Sequence, residues 1–203
     1  MARDTIFLDD ASQGSSSLSL AERLQDGSAS AWGDLVRLYG PLVDRWCRNA
    51  SVPPDAIPDV AQEVFLAAFR GVKRFDPGVP NATFRGWLWT VVRSRIVEYY
   101  RKRNSGVVAP GGSTALAHIH ALVDPIPVHE PTEPDEASAL LRRALDQICV
   151  EFTTGTWDLF WRATVLGHPT DLIASENGVT PSAVRQAKSR VLRRLRKQLG
   201  DGR

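Results

Sequence analysis

From Leu18 to Arg103 the apolar residues return every three or four positions, the spacing of helices with one buried stripe. Ser17 or Ser19 can cap a short first helix that stops near Gly27, and Ser28 or Ser30 can cap the next. That second helix carries Trp32, Leu35, Val36, Leu38, Tyr39, Leu42, Val43 and Trp46 before Pro53 and Pro54 break the chain. A third has Val60, Val64, Phe65, Ala68 and Phe69 on one side. Asp76 to Asn81 is a loop by its turn chemistry. A fourth helix runs from about Thr83 to Arg103, with Leu88, Val91, Val92, Ile96 and Tyr99 as its inner stripe. No stretch alternates as a strand.

The pattern then lapses. Residues 104–136 hold Pro110, Pro125, Pro127, Pro131 and Pro134 with little periodicity, which predicts a flexible linker between two domains. Beyond it Leu140, Leu141, Ala144, Leu145 and Ile148 form one helical stripe, and Trp157, Phe160, Trp161 and Val165 another. The expected fold is all-α: a tail over 1–17, a helical domain over 18–103, the linker, and a second small helical domain over 137–199.

Within that second domain the spacing predicts a helix-turn-helix. Such a unit wants a small residue where its helices cross, a glycine four positions on for the positive-φ turn, and a branched apolar residue six further. Ala174, Gly178 and Val184 occupy those places. Thr180 suits the N-cap, and Pro181 the first helical position, where its missing N–H costs nothing. Val184, Ala187, Val191, Leu195 and Leu199 would pack inward. Ser182, Arg185, Gln186, Ser189, Arg190 and Arg193 fall on the other side. Arg185 and Gln186, near the start of the second helix, are the base-contact candidates, since these side chains pair bidentately with guanine and adenine edges. Ser182 and Ser189 suit bases or phosphates; Arg190, Arg193 and Arg194 suit phosphates.

Charge sharpens this picture. The net formal charge is only +2, but Arg85, Arg93, Arg95, Arg101, Lys102 and Arg103 crowd the fourth helix against a lone Glu98. The last helix is similarly basic, so two surfaces are suited to a polyanion. In the fourth helix Phe84, Trp87, Trp89, Tyr99 and Tyr100 are interleaved with the arginines, a combination that stacks exposed bases while neutralising phosphates of a single strand. Cys47 and Cys149 lie far apart in apolar patterns and read as buried free thiols of a reducing compartment. His118, His120, His129 and His168 make no ligand set for a metal, and no phosphate-binding glycine loop or nucleophile-base set is present. Neither cofactor nor catalysis is expected. The polar, acidic start and the lack of a long apolar run argue against membrane insertion and for a cytoplasmic protein.

The stretch Asp59-Val60-Ala61-Gln62-Glu63-Val64-Phe65 resembles the Asp-x-x-Gln-Glu-x-Phe helix of extracytoplasmic-function RNA polymerase sigma factors in the sigma-70 family. FRGWLWTVVRSRIVEYYRKR resembles their promoter-melting segment, and the second domain their final helix-turn-helix. The resemblance implies that Asp59, Gln62 and Glu63 dock on the clamp helices of the polymerase beta-prime subunit. It further implies that the loop from Asp76 and the helix after it bind and open the −10 element, with Phe84, Arg85, Trp87, Trp89, Arg93, Ser94 and Arg101 as contacts. The second domain would bind the −35 element as duplex and touch the beta flap. Core RNA polymerase and promoter DNA are thus the implied partners, and an anti-sigma factor is one the resemblance allows for. Ser94 stands where the family commonly has Asn, and Glu98 where it has Asp, which bears on −10 preference. The competing reading is a helix-turn-helix regulator that works without polymerase.

Overall fold

A computed structural model describes residues 18–105, 130–131 and 133–201; the expected tail over 1–17 and most of the expected linker lie outside them. The described residues form eight α-helices: α1 Leu20–Gln25, α2 Ala29–Asn49, α3 Ile57–Gly71, α4 Phe84–Ser105, α5 Pro134–Ile148, α6 Thr154–Thr164, α7 Thr170–Asn177 and α8 Pro181–Gln198. One-turn 3₁₀ segments extend α3 and α5, and among the described residues there is no strand.

Local chemistry sets the helix ends. Ser19 and Glu22 form a reciprocal capping box on α1, and Gly27 takes a positive φ of 78° to turn into α2. Ser28 caps α2 by accepting from the Ala31 N–H, and Thr83 Oγ1 accepts from the Gly86 N–H at 3.0 Å where α4 starts. Gln25 Nε2 donates to the carbonyls of Val72 and Phe75 at 3.0 and 2.7 Å, tying α1 to the turn after α3.

The core of the first four helices is built on aromatics. Trp46 is fully buried and meets Trp89 edge-on with ring centroids 5.2 Å apart; Phe84 packs between Tyr39 and Phe75. The inner face of α4 is Phe84, Leu88, Trp89, Val92, Ile96 and Tyr100, so Tyr100 is inside where the stripe predicted Tyr99. Phe69 also departs from expectation: it is 58% exposed, lying against Trp32 on the outer side of α3. Cys47 is buried as expected, but Cys149 is only half-buried.

The second half does not stand apart. Leu140, Ala144, Leu145 and Ile148 of α5, with Phe160, Val191 and Leu195, belong to the same apolar cluster as α2 and α4. A smaller separate cluster, Leu159, Ile173, Ala174, Val184 and Ala187, holds α6, α7 and α8 together.

Burial pushes the Cys47 thiol up to about 12, with nearby Asp44 adding to the shift. Only a thiolate is an effective nucleophile. Thiol labelling of the native protein near neutral pH is therefore expected to modify Cys149 and spare Cys47 until denaturant is added; equal rates for both would contradict a sealed α2–α4 core.

Candidate nucleic-acid interface

The turn between α7 and α8 has the geometry that its spacing predicts. Gly178 sits at φ 64° and ψ 30°, the left-handed region, and ends α7. Thr180 Oγ1 accepts from the Ala183 N–H at 3.2 Å, and Pro181 occupies the first position of α8. Ala174 and Val184 share the small cluster, so the two helices cross where the small residue permits close approach. Asn177 Nδ2 donates to the Ile173 carbonyl at 2.8 Å, and Arg162 of α6 pairs with Glu176 of α7. Together these fix α7 and α8 against α6.

That packing sends the predicted residues outward. Ser182, Arg185, Gln186, Ser189, Arg190 and Arg193 are all exposed on α8, while Val184, Ala187, Val191 and Leu195 are buried. Arg194 does not join them. Its side chain is 12% exposed and grips Glu151 through Nε and Nη2 at 2.7 and 2.6 Å, and Nη1 donates to Gln198. It is a structural cation, not a phosphate contact, in this conformation. The spacing could not reveal this because Glu151 lies 43 residues away.

The α4 candidates divide more sharply. Ser94 and Arg101 are exposed, and Trp87 and Arg93 are half-buried. Phe84 is fully buried and Trp89 is 2% exposed, so neither ring offers a face to a base here; both support the α2–α4 core. Arg85 Nε meets both carboxylate oxygens of Glu130 at 2.7 and 2.8 Å. Glu98 is flanked by Lys102 at 3.1 Å and Arg95 at 2.6 Å. The Lys102 hydrogen bond and then the Arg95 charge hold its carboxyl below the usual range. Arg101 and Arg103 remain exposed beyond that network.

On α3, Asp59, Gln62 and Glu63 are exposed together, at the i, i+3, i+4 spacing of one helix face. The same face continues into Leu66, 41% exposed, and Phe69. Phe69 stands on this face although its place in the apolar stripe predicted burial. Further exposed apolar side chains are Trp161 near the end of α6, Val165 and Leu166 in the turn after it, and Leu172 on α7. Among the described residues no group of His, Cys, Asp and Glu could hold a metal ion, and no helix is long and apolar enough to cross a membrane.

Residues 35–106 match the family described as Sigma-70 region 2. The chain is 32% identical over 84 residues to the RNA polymerase sigma factor CnrH of Cupriavidus metallidurans, covering 41% of this chain and 42% of that protein. It is 27% identical over 192 residues to the ECF RNA polymerase sigma factor ShbA of Streptomyces griseus, covering 87% of this chain and 92% of that one. The ECF RNA polymerase sigma factor SigE of Mycolicibacterium smegmatis matches at 27% identity over 60% of this chain and 45% of its own length. The chain thus spans under half of two of these relatives and nearly all of the third. A solved structure of CnrH in complex with the cytosolic domain of CnrY overlaps 89% of this chain and 95% of its own at 20% identity and a TM-score of 0.36; the fold reading rests on the helices above.

Two substitutions test the helix-turn-helix geometry. Nothing lies within 4 Å of a Cβ built on Gly178. Gly178→Ala should therefore cost only the left-handed backbone penalty, about 1–2 kcal/mol. Thr180→Ala should cost about 1 kcal/mol through the lost cap. Denaturant titration of each variant checks both, and an unchanged midpoint for Gly178→Ala would contradict the positive φ.

Proposed function

Because the chain belongs to the sigma-70 family, in its extracytoplasmic-function group, we propose that it binds core RNA polymerase, recognises the −35 and −10 elements of a promoter and promotes DNA melting. The carrying observation is that two basic surfaces and one acidic-amide face coexist on one chain. Exposed Ser182, Arg185, Gln186, Ser189, Arg190 and Arg193 support a duplex-reading role for α8 at the −35 element. Exposed Ser94 and Arg101, with half-buried Trp87 and Arg93, support a role for α4 at the −10 element. Phe84, Arg85 and Trp89 enter that proposal as the framework that positions α4.

Asp59, Gln62 and Glu63 support docking on the clamp helices of beta-prime, and Leu66 and Phe69 extend their face with apolar surface suited to a protein partner. The exposed apolar side chains of α6, the turn after it and α7 support the beta-flap contact. The site of action would be the cytoplasm. An anti-sigma factor fits the same apolar surfaces and is proposed only in that sense.

Energetics require the polymerase. Opening about ten base steps costs roughly 14 kcal/mol at the mean stacking energy. Capturing two flipped bases returns roughly 2–6 kcal/mol. The free chain is thus too weak a melting agent, whereas a regulator acting without polymerase would need no face like that of α3.

Pull-down with core enzyme tests the reading. Placing positive charge at both Gln62 and Glu63 (Gln62→Lys with Glu63→Lys) should abolish association without unfolding the chain. Tight duplex binding by the free protein with no core association would overturn the proposal. For α8, Arg185→Ala or Gln186→Ala should lower transcription from a cognate promoter roughly 10- to 100-fold, the loss of one bidentate base contact. Unchanged transcription would refute those two assignments.

A further inference from the structure

Arg194 turns back into the protein, while Arg190 and Arg193 beside it on α8 stay exposed. Its fork closes bidentately on Glu151, Nε donating to Oε2 at 2.7 Å and Nη2 to Oε1 at 2.6 Å. The other arm, Nη1, donates to Gln198 Oε1 at 2.9 Å, and Gln198 Nε2 donates in turn to Gln147 Oε1 at 2.6 Å. Gln198 is 2% exposed, so both ends of its amide are used where an unpaired end would be costly. Gln147 lies on α5, and Glu151 closes the 3₁₀ turn that follows it. Four polar side chains thus bolt the last turns of α8 to the end of α5.

The apolar anchors of α8 do a different job. Val184 and Ala187 pack with α6 and α7, and Val191 and Leu195 join the larger core with α5. Apolar contact is non-directional, whereas a bidentate guanidinium–carboxylate pair fixes angle as well as distance. Nine residues make about two and a half helical turns, so Arg185 lies on the side of α8 opposite Arg194. Any turning of α8 that the Arg194 fork resists would carry Arg185 and Gln186 sideways. At a side-chain radius of about 6 Å, a turn of about 10° moves a group by about 1 Å. A recognition contact has to be held within about 0.5 Å.

We propose that Arg194 is a positioning residue for the −35 element: anchored by Glu151 and Gln198, it sets the rotation of α8 and so aims Arg185 and Gln186 at base edges. The assignment rests on the sigma-factor reading. Glu151, at the joint between α5 and α6, is the fixed point of the device. Arg194 touches neither base nor phosphate in this role. It governs which duplex is bound, not how strongly any duplex is bound.

Core polymerase carrying the full chain is offered a promoter pool randomised over the −35 positions, and the sequence it enriches is compared with a scrambled duplex. Arg194→Lys keeps the charge and loses the fork; Glu151→Ala keeps the arginine and loses its anchor. Each should lower the ratio of enriched to scrambled affinity roughly 10-fold, within the range of one bidentate base contact, and leave the scrambled affinity unchanged. The slope of log affinity against log salt should keep its wild-type value in both. A phosphate contact behaves otherwise. Arg194→Ala would then lower the slope by about 0.9 and weaken both duplexes alike, Arg194→Lys would restore them, and Glu151→Ala would tighten both. That pattern overturns the proposal. So does an unchanged ratio in folded variants, including one accompanied by a lower melting temperature by circular dichroism, which is the mark of a role confined to stability. If Glu151→Ala unfolds, Glu151→Gln takes its place, keeping the shape and losing the charge. A wild-type chain that fails to bind core enzyme, or whose holoenzyme enriches no −35 sequence, overturns the sigma-factor reading instead.

Discussion

The burial of one apolar stripe on α5 is the constraint around which the molecule is arranged. Leu140, Ala144, Leu145 and Ile148 face α2 on one side and α8 on the other, and no layer of their own half covers them fully. Leaving a leucine or isoleucine of this kind in water forgoes about 1.5–3 kcal/mol each. That is enough to bring the halves together, but it is non-directional and sets no register. The polar contacts around the stripe supply the register: Arg143 to the Leu38 carbonyl, Arg45 to Glu136 at 2.8 Å, Trp46 Nε1 to the Pro131 carbonyl, and Tyr39 to the Leu199 carbonyl. Apolar area gives adhesion, and a few hydrogen bonds decide where the second half sits.

This division explains what could be read from the chain alone. Helices were legible because period and caps are local properties, and the α7–α8 turn because Gly178, Ala174 and Val184 answer backbone needs within eleven residues. The exposed face of α8 followed directly. Phe84 and Trp89 stood as −10 contacts and Arg194 as a phosphate contact for one reason, whereas all three have structural partners in the fold. Their partners, Gly200 and Asp201, Trp46, and Glu151, are distant in sequence. An apolar stripe says that a side chain will be covered, not by what; Phe69 is the converse, apolar and yet 58% exposed beside Gln62 and Glu63 on α3.

Charge is redistributed by the same packing. The sequence shows two basic helices, but in the fold Arg85, Arg95, Lys102 and Arg194 each face a carboxylate. On those two helices the exposed cations outside these pairs are Arg101 and Arg103 on α4, and Arg185, Lys188, Arg190, Arg193 and Arg196 on α8. Phosphate neutralisation depends on cations that are not already paired, so the two proposed nucleic-acid surfaces are narrower than composition implies.

The paired cations are not all equivalent. Glu151 and Arg194 lie within the second half, and Glu98 with Arg95 and Lys102 within α4, so those pairs are complete within a single half. Glu130 with Arg85 joins α4 to the residues leading into α5, and Asp201 with the Phe84 N–H joins α4 to the end of α8. Burial raises the Asp201 carboxyl, and the Phe84 N–H and then the Arg85 charge oppose that shift, so its charge is costly inside and depends on α4 for its compensation. Surface ion pairs contribute little on their own, and a half-buried carboxylate carries a desolvation cost that its partners must offset. The contacts that cross between the halves are thus the ones most open to replacement, while the pairs within each half depend on nothing outside it.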